Sequence, residues 1–308
     1  MKFLVTGGAG FIGSHVVEHL VFVGLDVKVV DNLLTGKKEN IFAFEDKISF
    51  YEQDIIDTEE LVSLFENVDC VVHLAALPSV PRSIKDPLGS NKNNITGTLS
   101  VFEAARLAGV KRIIFASSSS VYGDSPKLPK EETMAPNPLS LYAVQKYTDE
   151  QYAKLYCKLF NMNIIGLRFF NVFGPRQDPH SEYSAVIPKF IKLISEDKSP
   201  TIYGDGLTSR DFTYVGNVVE AIMLATKAEN VSGEIINIAC GNRITLNELV
   251  DHIKKILSKT VETTYVDERV GDIKHSLADI SKAKMLIGYS PKYSFSKGLE
   301  KTVNYYVS

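Results

Sequence analysis

Cysteine is scarce in this chain of 308 residues. Cys70, Cys157 and Cys240 lie far apart and match no metal-ligand spacing, so no metal site is expected. Cys70 and Cys240 fall in apolar, strand-like runs and read as buried, reduced core residues. There is also no surplus of charge of one sign. The formal net charge of −3 leaves no electrostatic footprint for nucleic acid. The short basic pairs, Lys37 with Lys38 and Lys254 with Lys255, read as solvated surface. No apolar run is long enough to cross a membrane. The apolar start of MKFLVTGGAGFIG breaks into glycines at once, unlike a signal peptide, so the cytoplasm is the expected location. Internal repeats and low-complexity tracts are missing too. What remains, 44% hydrophobic and 23% charged residues, is the balance of a soluble globular protein. The length suits one large α/β domain or two smaller ones.

Short apolar runs alternate with amphipathic stretches through the first half. KFLVT, DVKVVD, ISFYEQD, DCVVHLAA, RIIFASS and NIIGLRFFN read as strands buried on both faces. Residues 12–22, 58–65 and 95–108 read as helices between them. This alternation predicts an α/β fold with a doubly wound parallel sheet. After residue 173 the pattern loosens into a smaller mixed α/β lobe. Its strands TIYG and VETTYV are expected outside the main sheet, whereas EIINIA is apolar enough to return to it.

VTGGAGFIG sets Gly7, Gly10 and Gly13 at three-residue spacing between a strand and a helix. Gly7 permits a tight turn, Gly10 lets a pyrophosphate approach the helix N-terminus, and Gly13 lets helix and strand pack closely. The bland alternative is an ordinary strand-to-helix turn. Asp31, ending the second strand, favours the sharper reading: an acid there accepts hydrogen bonds from the adenosine ribose. It would repel a 2′-phosphate, so NAD is expected over NADP. Asn32 is a candidate assistant. Asp54 stands where adenine contact is plausible, with simple helix capping as its alternative.

In LSLYAVQKYTDE, Tyr142 and Lys146 are four residues apart on one helix face. A free tyrosine titrates near ~10, but a neighbouring ammonium and a positive nicotinamide ring stabilise its phenolate. Such a pair can move a proton to or from a hydroxyl. Alone it would read as chance decoration of a helix surface; together with the glycine turn and the run FASSSSVYGD it does not.

TGGAGFIG, HLAA, SSSSVYGD, YAVQK and RFFNVFGPRQ resemble the extended short-chain dehydrogenase/reductase family, the NAD-dependent epimerases and dehydratases of nucleotide-activated sugars. The resemblance covers nearly the whole chain. It implies a Rossmann-like NAD-binding domain over 1–173, with 211–240 returning to it in part, and a nucleotide-sugar-binding lobe over 174–308. It implies NAD contacts from Phe11, Ile12, Ile55, Leu74, Ala75 and Ala76 besides the glycines, Asp31, Asn32 and Asp54. It implies that Tyr142, Lys146 and Ser118 are catalytic. Asn94 and Asn171 resemble the family's structural and phosphate-contacting asparagines; loop or capping roles are the alternatives.

Dehydrating relatives carry Asp-Glu just after the Ser118 position, and decarboxylating ones a glutamate at the second place. Here Ser119 and Ser120 stand there, and neither is an acid or a base. Tyrosine, lysine and hydroxyls without that pair suit removal and return of a hydride, which is epimerisation.

The second half resembles UDP-hexose 4-epimerases, in particular those that accept N-acetylated sugars. RQDPHSEYSAVIPKF, GDGLTSRDF and RVGDIKHSLADISKA carry that likeness. It implies Arg210 and Arg269 on the diphosphate, Asp272 on the uridine ribose, and Val186 and Ile187 around uracil. For Arg210 the alternative is a salt bridge to Asp211, and for Arg269 a surface pairing with Asp272 or Glu268. Ser79, Arg82, Ser119 and Ser120 are expected near the sugar. Ser276 replaces a bulky tyrosine of glucose-restricted relatives and leaves room for an acetamido group, unless it is only a small packing residue. The implied partners are a UDP-sugar and a second copy of the chain, joined through helices at 94–108 and 142–159 in a four-helix bundle. Rival readings are a UDP-uronic acid 4-epimerase, a 4-keto-sugar reductase, and a non-catalytic dinucleotide- or sugar-nucleotide-binding regulator.

Overall fold

The computed structural model describes residues 1–179, 186–268 and 274–307. In chain order the first half runs β1 (Lys2–Thr6), α1 (Phe11–Phe22), β2 (Asp26–Val30), β3 (Ser49–Tyr51), α2 (Thr58–Phe65), β4 (Cys70–His73), α3 (Val80–Lys85), α4 (Pro87–Asn91), α5 (Gly97–Leu107), β5 (Arg112–Ser118), α6 (Leu141–Phe160) and β6 (Asn163–Phe169). There follow β7 (Val172–Phe173), α7 (Val186–Ser195), β8 (Thr201–Tyr203), β9 (Ser209–Arg210), β10 (Thr213–Tyr214), α8 (Val215–Lys227) and β11 (Ile235–Ile238). The chain ends with β12 (Ile244–Thr245), α9 (Leu246–Leu257), β13 (Thr264–Val266), α10 (Ser281–Ile287) and α11 (Phe295–Val307).

Among the described residues the main sheet has seven strands, all parallel, in the order β11-β6-β5-β4-β1-β2-β3. The apolar runs become its strands because both faces are covered. On one face Val16, Val17 and Leu20 of α1 pack with Val218, Ile222 and Ala225 of α8 against Val5, Val29 and Ile165. On the other, Leu61 and Phe65 of α2, Phe102 of α5 and Ala153 of α6 cover Leu4, Val71, Ile113 and Ile164. EIINIA does return, as β11 beside β6. TIYG and the end of VETTYV pair with each other as β8 and β13, outside the main sheet. A third core gathers Phe173, Phe190, Ile191, Phe212, Leu249, Phe295 and Leu299 between α7, α9 and α11.

The reading of 95–108 as one helix needs correction. A wide π turn, Lys92–Thr96, precedes α5. Buried Asn94 sits in that turn. Its side chain accepts from the Leu77 N–H at 2.7 Å and donates to the Leu77 carbonyl at 3.1 Å and Gln145 Oε1 at 2.8 Å. Its position is thus structural, tying the segment after β4 to α6. Of the three cysteines, Cys70 is buried and Cys240 only partly so.

Strand order reverses between β1 and β4, and a crevice opens beyond the carboxyl ends of strands at such a point. Gly7, at φ +69°, makes the turn there. A Cβ on Gly7 would come within 2.6 Å of the Ala75 nitrogen. One on Gly13 would collide with the Gly7 carbonyl oxygen. The close approach of α1 to the end of β1 therefore requires glycine at 13. We expect Gly13→Ala to cost about 1–3 kcal/mol of stability by overpacking and to displace the start of α1. Thermal unfolding and bound-dinucleotide content check this, and a variant matching the parent in both refutes the contact.

Candidate active site

Beyond the ends of β1, β4 and β5 lies a cavity of about 450 Å³. Its lining brings together most of the residues expected from sequence: Gly7, Gly10, Phe11, Ile12 and Gly13, Asp31 and Asn32, Ile55, Leu74, Ala75 and Ala76, and Ser118, Tyr142 and Lys146. Two of its walls are the glycine turn and Asp31. The Asp31 carboxylate accepts from the Ala9 N–H and the Leu33 N–H, each at 2.9 Å. Burial raises its pKa, and those two N–H groups pull the other way. A carboxylate offers about four acceptor positions, so two bonds to backbone leave capacity for a diol. The cradle without Cβ atoms at Gly10 and Gly13, the N-terminus of α1 and this acid together fit a dinucleotide.

Asp54 lies beyond the end of β3 and does not line the cavity. It accepts from Asn32 Nδ2 at 3.1 Å and from the Ile56 N–H at 3.1 Å. The cap of α2 is Asp57, not Asp54. Asp54 thus holds Asn32 at the rim. Gln53, Thr35, Asn93 and Gln177 also line the cavity, and sequence reasoning passed over all four. Gln53, Thr35 and Gln177 arrive through loops and Asn93 through the turn Lys92–Thr96.

Tyr142 stands in the first turn of α6, capped by Ser140, and its backbone N–H donates to Ser83 Oγ at 3.2 Å. A helix N-terminus favours negative charge nearby. Lys146, one turn on, is buried, with Nζ 3.3 Å from Asp149 Oδ2. The four serines divide two and two. Ser117 and Ser118 close β5, while Ser119 and Ser120 open a 3-10 turn, Ser119–Tyr122. Alternation along the strand separates the first pair. Ser117 donates inward to Glu150 at 2.6 Å, whereas Ser118 Oγ faces the cavity and accepts from Ser120 Oγ at 2.9 Å and the Ser120 N–H at 3.2 Å. Because Ser120 donates, the Ser118 proton remains for another acceptor. Glu150 is clamped by Arg168 through two bonds of 2.7 Å. Arg168 lies 4.6 Å over the Tyr122 ring, and the Tyr122 hydroxyl donates to Asn237 at 2.7 Å. This network fixes the strand end that presents Ser118.

A second cavity of about 370 Å³ adjoins the first, and the two share Ser118, Ser119 and Asn171. Ser120, Arg210, His275 and Ser276 line it, as do Val80, Pro81 and Lys130. Among the described residues lining it there is no carboxylate. Asn171, at φ +37°, donates to the Asp211 carbonyl at 3.2 Å and to Ser276 Oγ at 3.3 Å. Ser276 lines this cavity beside Asn171. Lys130 was not anticipated. It is buried, and its ammonium donates to the Ser125 carbonyl.

Several expectations change. Arg210 makes no salt bridge with Asp211, whose buried carboxylate accepts from the Cys240 and Gly241 N–H groups at 3.0 Å and Ala278 at 3.2 Å. Burial pushes Asp211 up to about 6. Arg210 instead donates to the carbonyls of Ser209 and Lys274 and reaches the second cavity. Ser79 caps α3, accepting from the Arg82 N–H at 3.3 Å; Val80 and Pro81, between them, line the cavity in their place. Ile187 is buried in the third core with Val186 packed against it, so neither lines either cavity. Arg269 and Asp272 lie outside the described residues.

Residues 3–239 match the NAD dependent epimerase/dehydratase family model. The chain belongs to this family. Of the relatives of this epimerase/dehydratase chain, a putative UDP-glucose 4-epimerase of Methanocaldococcus jannaschii is 40% identical over 98% of this chain and 97% of its own. A UDP-N-acetylglucosamine 4-epimerase from Methanobrevibacter ruminantium, solved with UDP-N-acetylmuramic acid, superposes with a TM-score of 0.95 at 42% identity, covering 99% of this chain and 98% of that one. A UDP-glucuronic acid 4-epimerase from Bacillus cereus, solved with UDP-glucuronic acid and NAD, has a TM-score of 0.92 at 37% identity, covering 99% and 98%.

Proposed function

We propose that this family member is an NAD-dependent UDP-hexose 4-epimerase acting through a transient 4-keto sugar, with UDP-GlcNAc and UDP-GalNAc as preferred substrates and UDP-Glc and UDP-Gal as further ones. The observation that carries it is the meeting of the two cavities. Tyr142, Lys146 and Ser118 line the one with the glycine turn and Asp31, and Ser118 and Asn171 also line the second one, which among the described residues has no carboxylate. Relatives of similar length and fold are UDP-sugar 4-epimerases.

NAD, when bound, supplies the acceptor and donor of the hydride at sugar carbon 4. Tyr142, as phenolate, takes the proton of the 4-hydroxyl. Lys146 stabilises that phenolate and contacts the nicotinamide ribose. Ser118, with its own proton free, steadies the sugar oxygen. Arg210, with Arg269 as expected from the resemblance, holds the diphosphate while the keto sugar turns over and presents its other face. Tyr142 then returns the proton. Among the described residues the second cavity has no carboxylate, which supports epimerisation over dehydration, a reaction that needs a further acid and base. Asp31 in the first cavity supports NAD over NADP.

Ser276, a small residue facing the second cavity beside Asn171, supports acceptance of an acetamido group. Lys130 in the same wall is the feature that favours a second reading, a uronic acid substrate, whose carboxylate needs a cation. We further propose that the enzyme is a cytoplasmic homodimer joined through α5 and α6. Leu141, Val144, Leu155 and Leu159 of α6 and Leu107 of α5 are exposed, an apolar stripe of the kind a four-helix bundle covers.

Incubation with single UDP-sugars and no added cofactor, followed by product chromatography, tests the activity. Tyr142→Phe is expected to cut turnover at least ~100-fold, the lower range for a general acid–base, while keeping NAD; near-normal turnover sinks the assignment. Ser276→Tyr should lose the N-acetylated pair selectively, and equal loss on both pairs removes the gate. Leu155→Glu with Leu159→Glu should shift sedimentation from dimer to monomer; a monomeric parent disproves the bundle.

A further inference from the structure

The mechanism leaves one buried acid unused, and it touches the lysine that the mechanism needs. Asp149 Oδ2 lies 3.3 Å from Lys146 Nζ, one helical turn away. Their side chains are 0% and 3% exposed, so solvent screens neither. Asp149 Oδ1 is buried without a hydrogen-bond partner. The adjacent acid, Glu150, is held by Arg168 and Ser117 and faces the other network.

The groups facing Asp149 come from several elements. Lys146 and Glu150 belong to its own helix, and Thr98 of α5 lies beside it. Thr98 Oγ1 lies 3.0 Å from His73 Nε2, and His73 Nδ1 lies 2.7 Å from Thr6 Oγ1. His73 stays neutral, since burial first and the Lys146 charge second push it down to about 3. Burial, helped by the Glu150 charge, lifts Asp149 to about 7 against the pull of Lys146. Its ionisation is therefore incomplete at neutrality and is completed as pH rises.

We propose that Asp149 is a positioning residue that aims the Lys146 ammonium and keeps it charged in a desolvated site. The inference rests on the role given to Lys146 above. A buried ammonium with no anion beside it tends to lose its proton. Asp149 supplies that anion, increasingly as pH rises. At lower pH the carboxyl is neutral, and the field of Lys146 acts undivided on Tyr142. The carboxyl itself touches neither substrate nor cofactor.

The test is the pH profile of kcat for the holoenzyme, with thermal unfolding and NAD content measured alongside. Asp149→Asn should move the alkaline limb down by about 1–3 units, the effect of an opposite charge this close. Its shortfall should be smallest at the acid end. Asp149→Glu, which restores the charge, should move the limb back toward the parent. If Asp149→Asn does not fold, Asp149→Ser, smaller and neutral, carries the same expectation. A neutral variant whose profile runs parallel to the parent overturns the proposal, whatever its overall rate, as does a Glu variant with the limb of the Asn one. Failure of the underlying reading looks different: the parent itself would then turn over no UDP-sugar, or Tyr142→Phe would stay active.

Discussion

Backbone proximity at the end of β1 is the constraint from which the site follows. The chain leaves the sheet at Gly7 with positive φ and comes back as α1 so closely that a side chain on Gly13 would overlap the Gly7 carbonyl. That approach aims the free N–H groups of α1 into the crevice at the switch in strand order. Asp31 reinforces it from β2 by accepting from the Ala9 N–H. From β4, Thr6 and His73 are register partners and bond through their side chains at 2.7 Å, joining the strands on either side of the switch. The cavity is thus fixed by backbone contacts before any reacting side chain is placed in it.

Two buried polar systems then place the chemistry, and they do different work. In the first, Ser117, Glu150, Arg168, Tyr122 and Asn237 join β5, α6, β6 and β11. Most of its charge is matched inside the network, as a buried ion pair requires. It serves as rigid mounting for the strand end bearing Ser118. In the second, Lys146 and Asp149 lie against Thr98 and His73, with an oxygen of Asp149 unpartnered. An unsatisfied buried oxygen costs free energy. A site retains such strain where a charge must be kept available, and the ammonium beside the tyrosine is such a charge.

The sequence was most legible where function is written in short, local patterns. Gly7, Gly10, Gly13 and Asp31 share one strand–turn–helix–strand unit, and Tyr142 and Lys146 share one helix face; spacing alone sets their neighbours. Legibility fell where partners come from distant segments. Glu150 with Arg168 and His73 with Thr98 carry no periodic signal, because each is a contact created by packing. Ile187 is a different case. The resemblance put it at uracil, but the strong apolar face of α7 drives it into the third core with Phe190 and Ile191. Asp54 differs again: its carboxylate accepts from Asn32 and the Ile56 N–H, a local turn that no spacing rule separates from ligand contact.

The serine run brings these threads together. A strand that ends in hydroxyls can present one to each side. Ser117 turns inward to a clamped acid, and Ser118 turns outward to the junction of the two cavities. The next two residues turn into the second cavity, where carboxyl groups would give a keto sugar an acid and a base for eliminating water. Serine there withholds both; the described lining offers hydroxyls, Asn171 and cations beside Val80, Pro81 and Phe170. On the proposed reading, return of the hydride is then the exit left to a keto sugar. Selectivity between the reactions of such a fold then depends on which proton donors the second cavity omits, as much as on those the first provides.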